Sequence, residues 1–426
     1  MELLRIRHLT VQNIGPFGNL DLAFPPKPSG MEGKAEVHIL TGENGSGKTT
    51  VLEALAAGVS HNASPFFHRK SRKKTPRSTI SVHFDEGSES SFAIENGTNH
   101  TLSRNQELKA YWFAHGNYAA NRFSTAFFAY SGYRRVEHTK ISAIQELPNH
   151  PFENALDFQN SINPQRIIQW IANNISKEAI EKSQGNEAKA ARYRDSIGYL
   201  EKAVSDIIEK PLRFLLETEV LNVVVEVDGE TLDFNLLPDG LKSIVSWIAD
   251  LLMRMDRVHW ENDLPVFERS FILFLDEIEV HMHPAWQRKI LPAAQRLFPN
   301  AQILVSTHSP FVVGSVDGAW IHKLVKPNGD SQLAEGYPKI SEDAKSYGYW
   351  LNEVFGIRTQ FGPEVQHSFD AFYALRNRVL QHENGTTTEQ FLHSGRALAN
   401  QSSELNQIIE MEIRQVNRRL GLQLSL

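Results

Sequence analysis

A glycine-rich segment near the N-terminus has the residue types and spacing of a phosphate-binding loop. Residues 42–49, GENGSGKT, fit the pattern G-x-x-x-x-G-K-[ST] and stand between an apolar strand and an apolar helix. Glycines let backbone N–H groups turn toward phosphates, Lys48 would reach the β- and γ-phosphates, and the Thr49 hydroxyl would hold Mg²⁺. We therefore predict a nucleotide site formed by Asn44, Gly45, Ser46, Gly47, Lys48, Thr49 and Thr50.

Two adjacent carboxylates end a second apolar strand, FILFLDE. Asp276 closes this strand and is placed to bind Mg²⁺ through water, as the strand-borne acid of P-loop enzymes does. Glu277 lies one step further into the expected cleft and would polarise the attacking water as general base. An apolar strand ending in Asp-Glu is weak evidence by itself, but together with the phosphate loop it predicts catalysis.

A histidine follows a third apolar strand in the segment AQILVSTHSP. His308, at the C-terminal edge of a parallel sheet, would hydrogen-bond a γ-phosphate oxygen. A lone histidine in such a position is more often a cap or a core residue, but its order after the other two motifs favours function. Lys48, Glu277 and His308 are therefore the candidate catalytic residues, and Thr49 and Asp276 are the candidate metal ligands.

Composition limits the remaining possibilities. The 426 residues suggest two or three domains at roughly 150 residues each, and the absence of cysteine excludes disulfides, thiolate zinc sites and cysteine nucleophiles. No run approaches the ~18 consecutive apolar residues of a membrane span, and the N-terminus has no signal-peptide pattern. We expect a cytoplasmic protein without a membrane partner. The net charge of −6 argues against general coating of nucleic acid.

Periodicity places the motifs in an α/β fold. Alternating residues around Gly15-Pro16 predict two strands, and Asn163-Pro164 predicts the start of a helix. A second helix is expected to reach Leu216, and a long helix should span 241–255. We predict four segments: an N-terminal part of the nucleotide-binding domain with a β subdomain (1–162), a helical arm (163–216), the C-terminal part of that domain (217–345) and a helical tail (346–426).

The three motifs, in this order, resemble the ABC-type ATPase heads of the RecF, SMC and overcoming-lysogenization-defect group. The N-terminal IRHLTVQNIGPFGNLDLAF resembles the opening strands of that group, and DEIEVHMHPAWQ and STHSP match a branch found in bacterial anti-phage ATPases. Within that branch the chain resembles the PtuA family of Septu and some retron systems. The resemblance implies a P-loop ABC-type α/β head that binds ATP and Mg²⁺, with an antiparallel β subdomain, an inserted helical arm and a helical C-terminal tail.

The resemblance also implies a homodimer or higher homo-oligomer in which two heads sandwich ATP. The segment LPDGLK stands where the family carries its Leu-Ser-Gly-Gly-Gln signature, so Asp239, Gly240 and Lys242 would contact the nucleotide of the other subunit. Pro238 replaces the signature serine and has neither a hydroxyl nor an N–H. Because a lost transition-state donor costs about 3 kcal/mol, we predict slow hydrolysis or a persistent ATP-bound state.

Partners follow from the same resemblance. Family members work with the HNH nuclease PtuB, and retron relatives would add an RNA–DNA hybrid and a reverse transcriptase. After Pro310 there is no Asp-x-Asp pair of the kind that a fused Toprim nuclease carries at a buried strand end, so we expect no nuclease site in the chain itself. Apolar positions of the C-terminal helices would either dock a partner or pack in a core: Phe369, Phe372, Leu375, Ile408, Ile409, Met411 and Ile413.

A basic run provides a candidate nucleic-acid contact. It consists of Arg69, Lys70, Arg72, Lys73, Lys74 and Arg77, which place six positive charges within nine residues of an expected loop. Such a run would bind phosphates in a salt-sensitive, sequence-independent way, and His68 with the preceding Phe66 and Phe67 would add base stacking. The alternative is a solvated loop, which is what most charge runs are.

Two further groups have two interpretations each. Arg134 or Arg135, in a segment that resembles a family segment Ala-Tyr-Gly-x-x-Arg-Arg, would contact phosphate or brace the sheet. His281 and His283 would lie on one side of an extended segment, but two ligands make an incomplete metal site, and we favour a structural role.

Two classes of function remain open. The first is a Mg-ATPase whose nucleotide state regulates a partner nuclease in anti-phage defence. The second is a nearly non-hydrolysing scaffold that assembles partners on nucleic acid. A transporter ATPase is a weaker third class, because it would couple to membrane domains through a glutamine loop, and the segment 129–135 has no glutamine.

Overall fold

A computed structural model of the chain describes most of its residues. The described residues are 4–60, 62–72, 75, 77–85, 87–103, 108, 122–132, 143–147, 150–160, 162–217, 219, 222–342, 344–357, 361–381 and 385–426. The chain divides into two compact units, Met1–Trp350 and Leu351–Leu426. The predicted boundaries within the first unit stay predictions.

Strands and helices alternate along the first unit. Its described strands are β1 (Ile6–Ile14), β2 (Phe17–Ala23), β3 (Glu36–Gly42), β4 (Arg77–Phe84), β5 (Glu89–Glu95), β6 (Thr98–Ser103), β7 (Ala126–Tyr130), β8 (Leu212–Glu217), β9 (Asn222–Val227), β10 (Glu230–Asp233), β11 (Phe271–Leu275), β12 (Ala301–Ser306), β13 (Trp320–Val325), β14 (Gln332–Leu333) and β15 (Lys339–Ile340). The described helices of the chain are α1 (Lys48–Val59), α2 (Ser64–Lys70), α3 (Pro164–Ser183), α4 (Glu187–Ile208), α5 (Asp239–Arg257), α6 (Pro284–Leu297), α7 (Pro310–Val313), α8 (Tyr347–Glu353), α9 (Pro363–Leu380), α10 (Gly385–Ala399) and α11 (Ser403–Leu420).

A mainly parallel sheet forms the centre of the first unit. Its strand order is β14-β13-β3-β12-β11-β7, with β15 also paired to β13, and the five strands from β13 to β7 are mutually parallel. Every residue of β7, β11 and β12 is buried, as expected for strands covered on both faces. The carboxyl ends of β3, β12, β11 and β7 therefore meet at one edge. The predicted α/β class is confirmed.

An antiparallel sheet of order β2-β1-β4-β5-β6 accompanies the parallel one. The predicted turn at Gly15-Pro16 joins β1 to β2, and Gly15 adopts the left-handed φ of 49° that this tight reversal requires. Helix α1 contacts strands of both sheets. The phosphate-loop helix is thus packed between the two sheets.

The arm consists of the antiparallel helices α3 and α4, followed by the small sheet β10-β9-β8. The helix start predicted at Asn163-Pro164 is confirmed, because the Asn163 side chain caps α3 by accepting a hydrogen bond from the Arg166 N–H at 3.3 Å. The prediction that the second helix reaches Leu216 is wrong, since the helix ends at Ile208 and β8 begins at Leu212. Pro211 has no N–H and disfavours a helical residue before it, which ends the helix.

The second unit is a set of three helices, α9, α10 and α11, around its own core. Phe369, Phe372, Ile409 and Ile413 are buried in this core, and Leu375 and Ile408 are partly buried against it. Most of the apolar positions singled out in the sequence therefore pack within the unit. Met411 is different, because its side chain is 58% exposed.

Within the described ranges, no helix combines the length and the apolar character needed to cross a membrane.

A buried ion pair joins α5 to the sheet. Arg254 Nε donates to Asp250 Oδ2 at 2.5 Å, the Tyr130 hydroxyl donates to the same oxygen at 2.8 Å, and Arg254 Nη1 donates to the carbonyls of Pro151 and Glu153 at 2.7 and 2.8 Å. Asp250 and Arg254 are 0% and 3% exposed. Removing one partner would leave the other charge buried and uncompensated.

We expect Asp250→Ala to lower the free energy of unfolding in urea by about 3–5 kcal/mol, because Arg254 then lacks its counter-charge. The control is Asp195→Ala, at an exposed position of α4, which should change that free energy by less than about 0.5 kcal/mol. Equal, small losses in the two variants would contradict a structural role for the pair.

Candidate nucleotide site

The phosphate loop connects β3 to α1 through glycines that other residues could not replace. Gly47 caps α1 with a φ of 99°, and Gly42 has a φ of 142°. A Cβ on Gly42 would collide with the Leu324 carbonyl, and a Cβ on Gly47 would collide with the Phe17 ring. The backbone conformation and the close packing both require glycine at these two positions.

Lys48 lies against the loop that it follows. Its Nζ donates to the carbonyl oxygens of Gly42 at 3.0 Å and Glu43 at 3.1 Å, and the residue is 5% exposed. Burial lowers the pKa of Lys48, while the charges of Asp276, Glu277 and Glu279 oppose that effect. The three carboxylates therefore lie within electrostatic range of the ammonium group.

Asp276 accepts hydrogen bonds from side chains of two elements, α1 and β12. The Thr49 hydroxyl lies 3.0 and 2.9 Å from its two carboxylate oxygens, and the Ser306 hydroxyl donates to Oδ1 at 2.5 Å. Asp276 is 8% exposed. Burial raises its pKa, and the hydrogen bonds from Ser306 and Thr49 oppose the rise.

The pair Thr49 and Asp276 fits a magnesium ion. Mg²⁺ prefers oxygen ligands and is commonly bound by one or two carboxylates, with phosphate oxygens and waters completing the shell. A hydroxyl and a carboxylate in direct contact, at the end of a phosphate loop, offer this donor set. These two residues would hold the ion.

Glu277 stands on a strained backbone. Its φ is 46°, an uncommon left-handed conformation for a residue with a side chain, and its N–H donates to the Ser306 hydroxyl at 2.9 Å. Gly132, just after β7, lies so close that a Cβ there would be 2.7 Å from both the Cβ and the carbonyl oxygen of Glu277. The chain around Glu277 is held from two neighbouring strands.

His308 follows β12 at the same edge of the sheet. Its N–H donates to Glu279 Oε1 at 2.6 Å. Burial and the charge of Lys48 lower the pKa of its ring, so the imidazole is neutral near pH 7 and has one N–H to donate. The structure thus brings Lys48, Thr49, Asp276, Glu277 and His308 to one edge, where the sequence predicted them.

Three residues help to hold the site together although the sequence did not single them out. Ser306, Glu279 and Gln287 lie inside or beside the motifs, but their roles depend on contacts between distant segments. Gln287 shows this, because its amide donates to the Met282 carbonyl at 2.9 Å and accepts from the Ser309 hydroxyl at 2.6 Å, joining the start of α6 to the segment after β12.

The signature segment forms the first turn of α5. Asp239 is exposed, and its carboxylate lies 3.9 Å from the Lys242 ammonium. A Cβ on Gly240 would lie 2.6 Å from the His281 carbonyl oxygen, so this glycine is also needed for packing within the chain. Contacts of these residues with a second subunit stay a prediction.

His281 and His283 do not lie on one extended segment. His281 has a φ of 62°, and His283 Nδ1 accepts the Ala285 N–H at 3.2 Å as the cap of α6. Among the described residues, no group of three or more histidine and carboxylate side chains could hold a metal ion. The geometry of His283 is that of the structural role favoured from the sequence.

The basic run is only partly a loop. Arg69 and Lys70 belong to α2, and their charges lie 3.7 and 2.6 Å from the Glu53 carboxylate of α1. Arg72 pairs with Asp330 at 2.5 Å. Three of the six charges therefore have local carboxylate partners.

The remaining residues of the predicted nucleic-acid contact have different outcomes. Arg77 is exposed and begins β4, whereas Lys73 and Lys74 lie outside the described residues. The prediction that Phe66 and Phe67 stack on bases is wrong, because both side chains pack inside the first unit and are 4% and 1% exposed.

Arg134 and Arg135, for which a phosphate contact and a bracing role were both open, lie outside the described residues.

Comparison with known families identifies this fold. Residues 37–314 match the family model AAA_21, described as "AAA domain, putative AbiEii toxin, Type IV TA system". The chain belongs to this family. The match runs from β3 to the end of α7, so it contains the phosphate loop, Asp276, Glu277 and His308.

Relatives of this AAA domain support the resemblance predicted from the motifs. The chain is 24% identical to Septu protein PtuA of Bacillus thuringiensis over 98% of its own length and 99% of the relative. It is 33% identical to the retron Ec83 probable ATPase of Escherichia coli over 25% of the chain and 20% of the relative. The predicted likeness to PtuA and retron ATPases is confirmed.

Among solved structures, the chain is similar to SMC heads. An SMC head bound to the C-winged helix domain of ScpA has a TM-score of 0.45 and 12% identity, over 77% of this chain and 96% of that one. The SMC head of Thermotoga maritima has a TM-score of 0.43 and 15% identity, over 78% and 98%.

The AAA domain offers a test of the packing around Glu277. We expect Gly132→Ala to slow nucleotide hydrolysis at least about tenfold, because the added methyl group must displace Glu277 from its position. Nucleotide affinity, measured with a fluorescent ATP analogue, should change little.

The matched control is Gly198→Ala in α4, where a Cβ meets nothing within 4 Å. It should leave hydrolysis unchanged and stabilise the helix by up to about 1 kcal/mol. Equal hydrolysis rates in the two variants would show that Gly132 does not constrain Glu277.

Proposed function

We propose that the protein is an ABC-type ATPase that binds ATP and Mg²⁺ in a head-to-tail dimer and regulates a partner nuclease of the HNH type in anti-phage defence. One observation carries the ATPase part: Thr49, Asp276, Ser306 and Glu277 form a connected hydrogen-bonded group directly beside the phosphate loop. This group holds the Asp276 carboxylate and the Glu277 backbone beside the loop, where hydrolysis needs a metal ligand and a general base.

The chemistry follows from the side chains at this edge. Lys48 and the N–H groups of the loop bind the β- and γ-phosphates. Thr49 and Asp276 would hold Mg²⁺, which would supply positive charge to neutralise phosphate oxygens. Glu277 accepts a proton from the water that attacks the γ-phosphorus, and the bond to the β-phosphate oxygen breaks. His308 donates its neutral N–H to a γ-phosphate oxygen.

Slow turnover is part of the proposal. Pro238 directly precedes α5, and its side chain makes no capping hydrogen bond there. Because proline has no hydroxyl, Pro238 cannot donate a hydrogen bond to the γ-phosphate bound by the other subunit. The loss of one such donor corresponds to about 3 kcal/mol, or roughly 100-fold in rate. A long-lived ATP-bound dimer would suit a protein that signals to a partner.

The partner proposal depends on the relatives. Similarity to a Septu protein PtuA over nearly the whole of both chains supports a role in the same type of system. The similarity to two retron ATPases covers 25% and 39% of the chain, and it supports an association with an RNA–DNA hybrid and a reverse transcriptase less strongly. We propose that the chain has no nuclease site of its own and that cleavage belongs to the partner.

A second candidate function is a scaffold that binds ATP almost without turnover and assembles partners on nucleic acid. Pro238 favours this alternative, because the signature is weakened at the residue that would contact the γ-phosphate.

Glu277→Gln separates the two functions. The amide cannot accept the proton, so hydrolysis should fall about 100-fold or more while ATP binding persists. Phosphate release is measured on protein freed of RNA, with Glu230→Gln, at an exposed position of β10, as control. Phage protection is measured in cells with the neighbouring genes present.

If wild-type turnover is at background and Glu277→Gln changes neither turnover nor protection, the protein is the scaffold and not the ATPase.

Binding itself is tested with Lys48→Ala. Removing the ammonium that contacts the loop carbonyls of residues 42 and 43 should abolish detectable ATP binding by calorimetry, because Lys48 is the residue expected to bind the β- and γ-phosphates. Unchanged affinity in this variant would place the nucleotide elsewhere in the molecule.

A further inference from the structure

The segments that follow β11 and β12 are joined by a hydrogen bond that neither motif predicts. Glu279 Oε1 accepts the backbone N–H of His308 at 2.6 Å. Glu279 lies after β11, in the same segment as Asp276 and Glu277, whereas His308 lies after β12. A side chain of one catalytic segment therefore fixes the backbone of the other.

A second bond runs in the opposite direction. The Ser306 hydroxyl, at the end of β12, accepts the Glu277 N–H at 2.9 Å and donates to Asp276 at 2.5 Å. Each segment thus supplies a side chain that holds the main chain of the other. The two bonds together set the spacing between Glu277 and His308, which follow different strands.

We propose that Glu279 is a positioning residue: its carboxylate holds the His308 backbone in register with Glu277, so that the two catalytic side chains act on the same phosphate. The proposal rests on the ATPase function proposed above, because it assigns Glu279 a role in that reaction. It also makes a claim about the backbone that does not require turnover.

The surroundings of Glu279 favour a role as hydrogen-bond acceptor. Its carboxylate is also hydrogen-bonded by the side chain of Thr307, which is fully buried beside it. Burial raises the pKa of Glu279, and the bond from the His308 N–H opposes that rise. An amide oxygen could accept the same N–H, so the negative charge is not required for this bond.

Two substitutions separate positioning from charge. Glu279→Ala removes the acceptor, and we expect kcat for ATP to fall roughly 10- to 100-fold with KM nearly unchanged, the scale of a small misplacement of a catalytic group. Glu279→Gln keeps an acceptor oxygen and should retain kcat within about threefold of wild type. If Gln lowers kcat as much as Ala does, Glu279 acts through its charge and the proposal is overturned.

A second readout follows the bond itself. Hydrogen–deuterium exchange at the His308 amide should be faster in Glu279→Ala than in wild type, and close to wild type in Glu279→Gln. Unchanged exchange in Glu279→Ala overturns the proposal. If wild-type protein shows no turnover at all, the ATPase function fails, and the exchange result alone decides whether the bond holds His308.

The control reproduces the same contact far from the site. Glu201 Oε1 accepts the Phe214 N–H at 2.7 Å in the arm. Glu201→Ala removes an equivalent carboxylate-to-backbone bond, and it should leave kcat and exchange at His308 unchanged. A fall in kcat equal to that of Glu279→Ala would attribute both losses to general destabilisation and overturn the proposal.

Discussion

The buried carboxylate of Asp276 is the constraint on which the nucleotide site depends. A carboxylate that is withdrawn from water needs hydrogen-bond donors, and Asp276 obtains them from Thr49 and Ser306. Thr49 lies after β3, Ser306 ends β12, and Asp276 directly follows β11, and these are three consecutive strands of the sheet. One buried charge thus requires the phosphate loop and the two catalytic segments to meet, and the same contact presents the donors that suit Mg²⁺.

Close packing makes this arrangement rigid. Glu277 keeps a left-handed backbone because its N–H is bonded to Ser306 on one side and Gly132 leaves no room on the other. The loop glycines act similarly, since Gly42 and Gly47 touch Leu324 and Phe17 without an intervening side chain. Strain of this kind persists only where neighbouring elements determine the conformation, and here three strands do so.

Sequence patterns predicted those structural features that depend only on residues close together in the chain. The phosphate loop, the end of β11 and the cap at Asn163 are local, because the chemistry and the spacing lie within a few positions. Strand β7 was missed, since five buried residues, AFFAY, have no alternation to separate a strand from a buried helix. The end of α4 was predicted wrongly because apolar residues continue at helical spacing past Pro211. Pro211 lacks an N–H, and this effect ends the helix despite the spacing.

Contacts between distant segments could not be predicted in the same way. The ion pairs of Arg69 and Lys70 with Glu53 depend on how α2 returns to α1, and the bond from His308 to Glu279 depends on the order of the strands. A charge run therefore looked like a free surface although half of it has local partners. The residues of the site could be predicted from the sequence, but the hydrogen bonds that align them could not.

The amino end of β3 shows why the parallel sheet and the antiparallel sheet stay together. Arg7 of β1 donates to Glu36 at 2.6 Å, and Glu36 also contacts the fully buried His38 at 3.0 Å. Burial alone would raise the pKa of Glu36, but the bonds with His38 and Arg7 hold it at about 2, so the carboxylate stays charged and paired. Burial lowers the pKa of His38, which the Glu36 carboxylate opposes, and burial also lowers the pKa of the adjacent His322. The same strand is thus fixed at one end by a pair that crosses between sheets, while its other end turns into the phosphate loop.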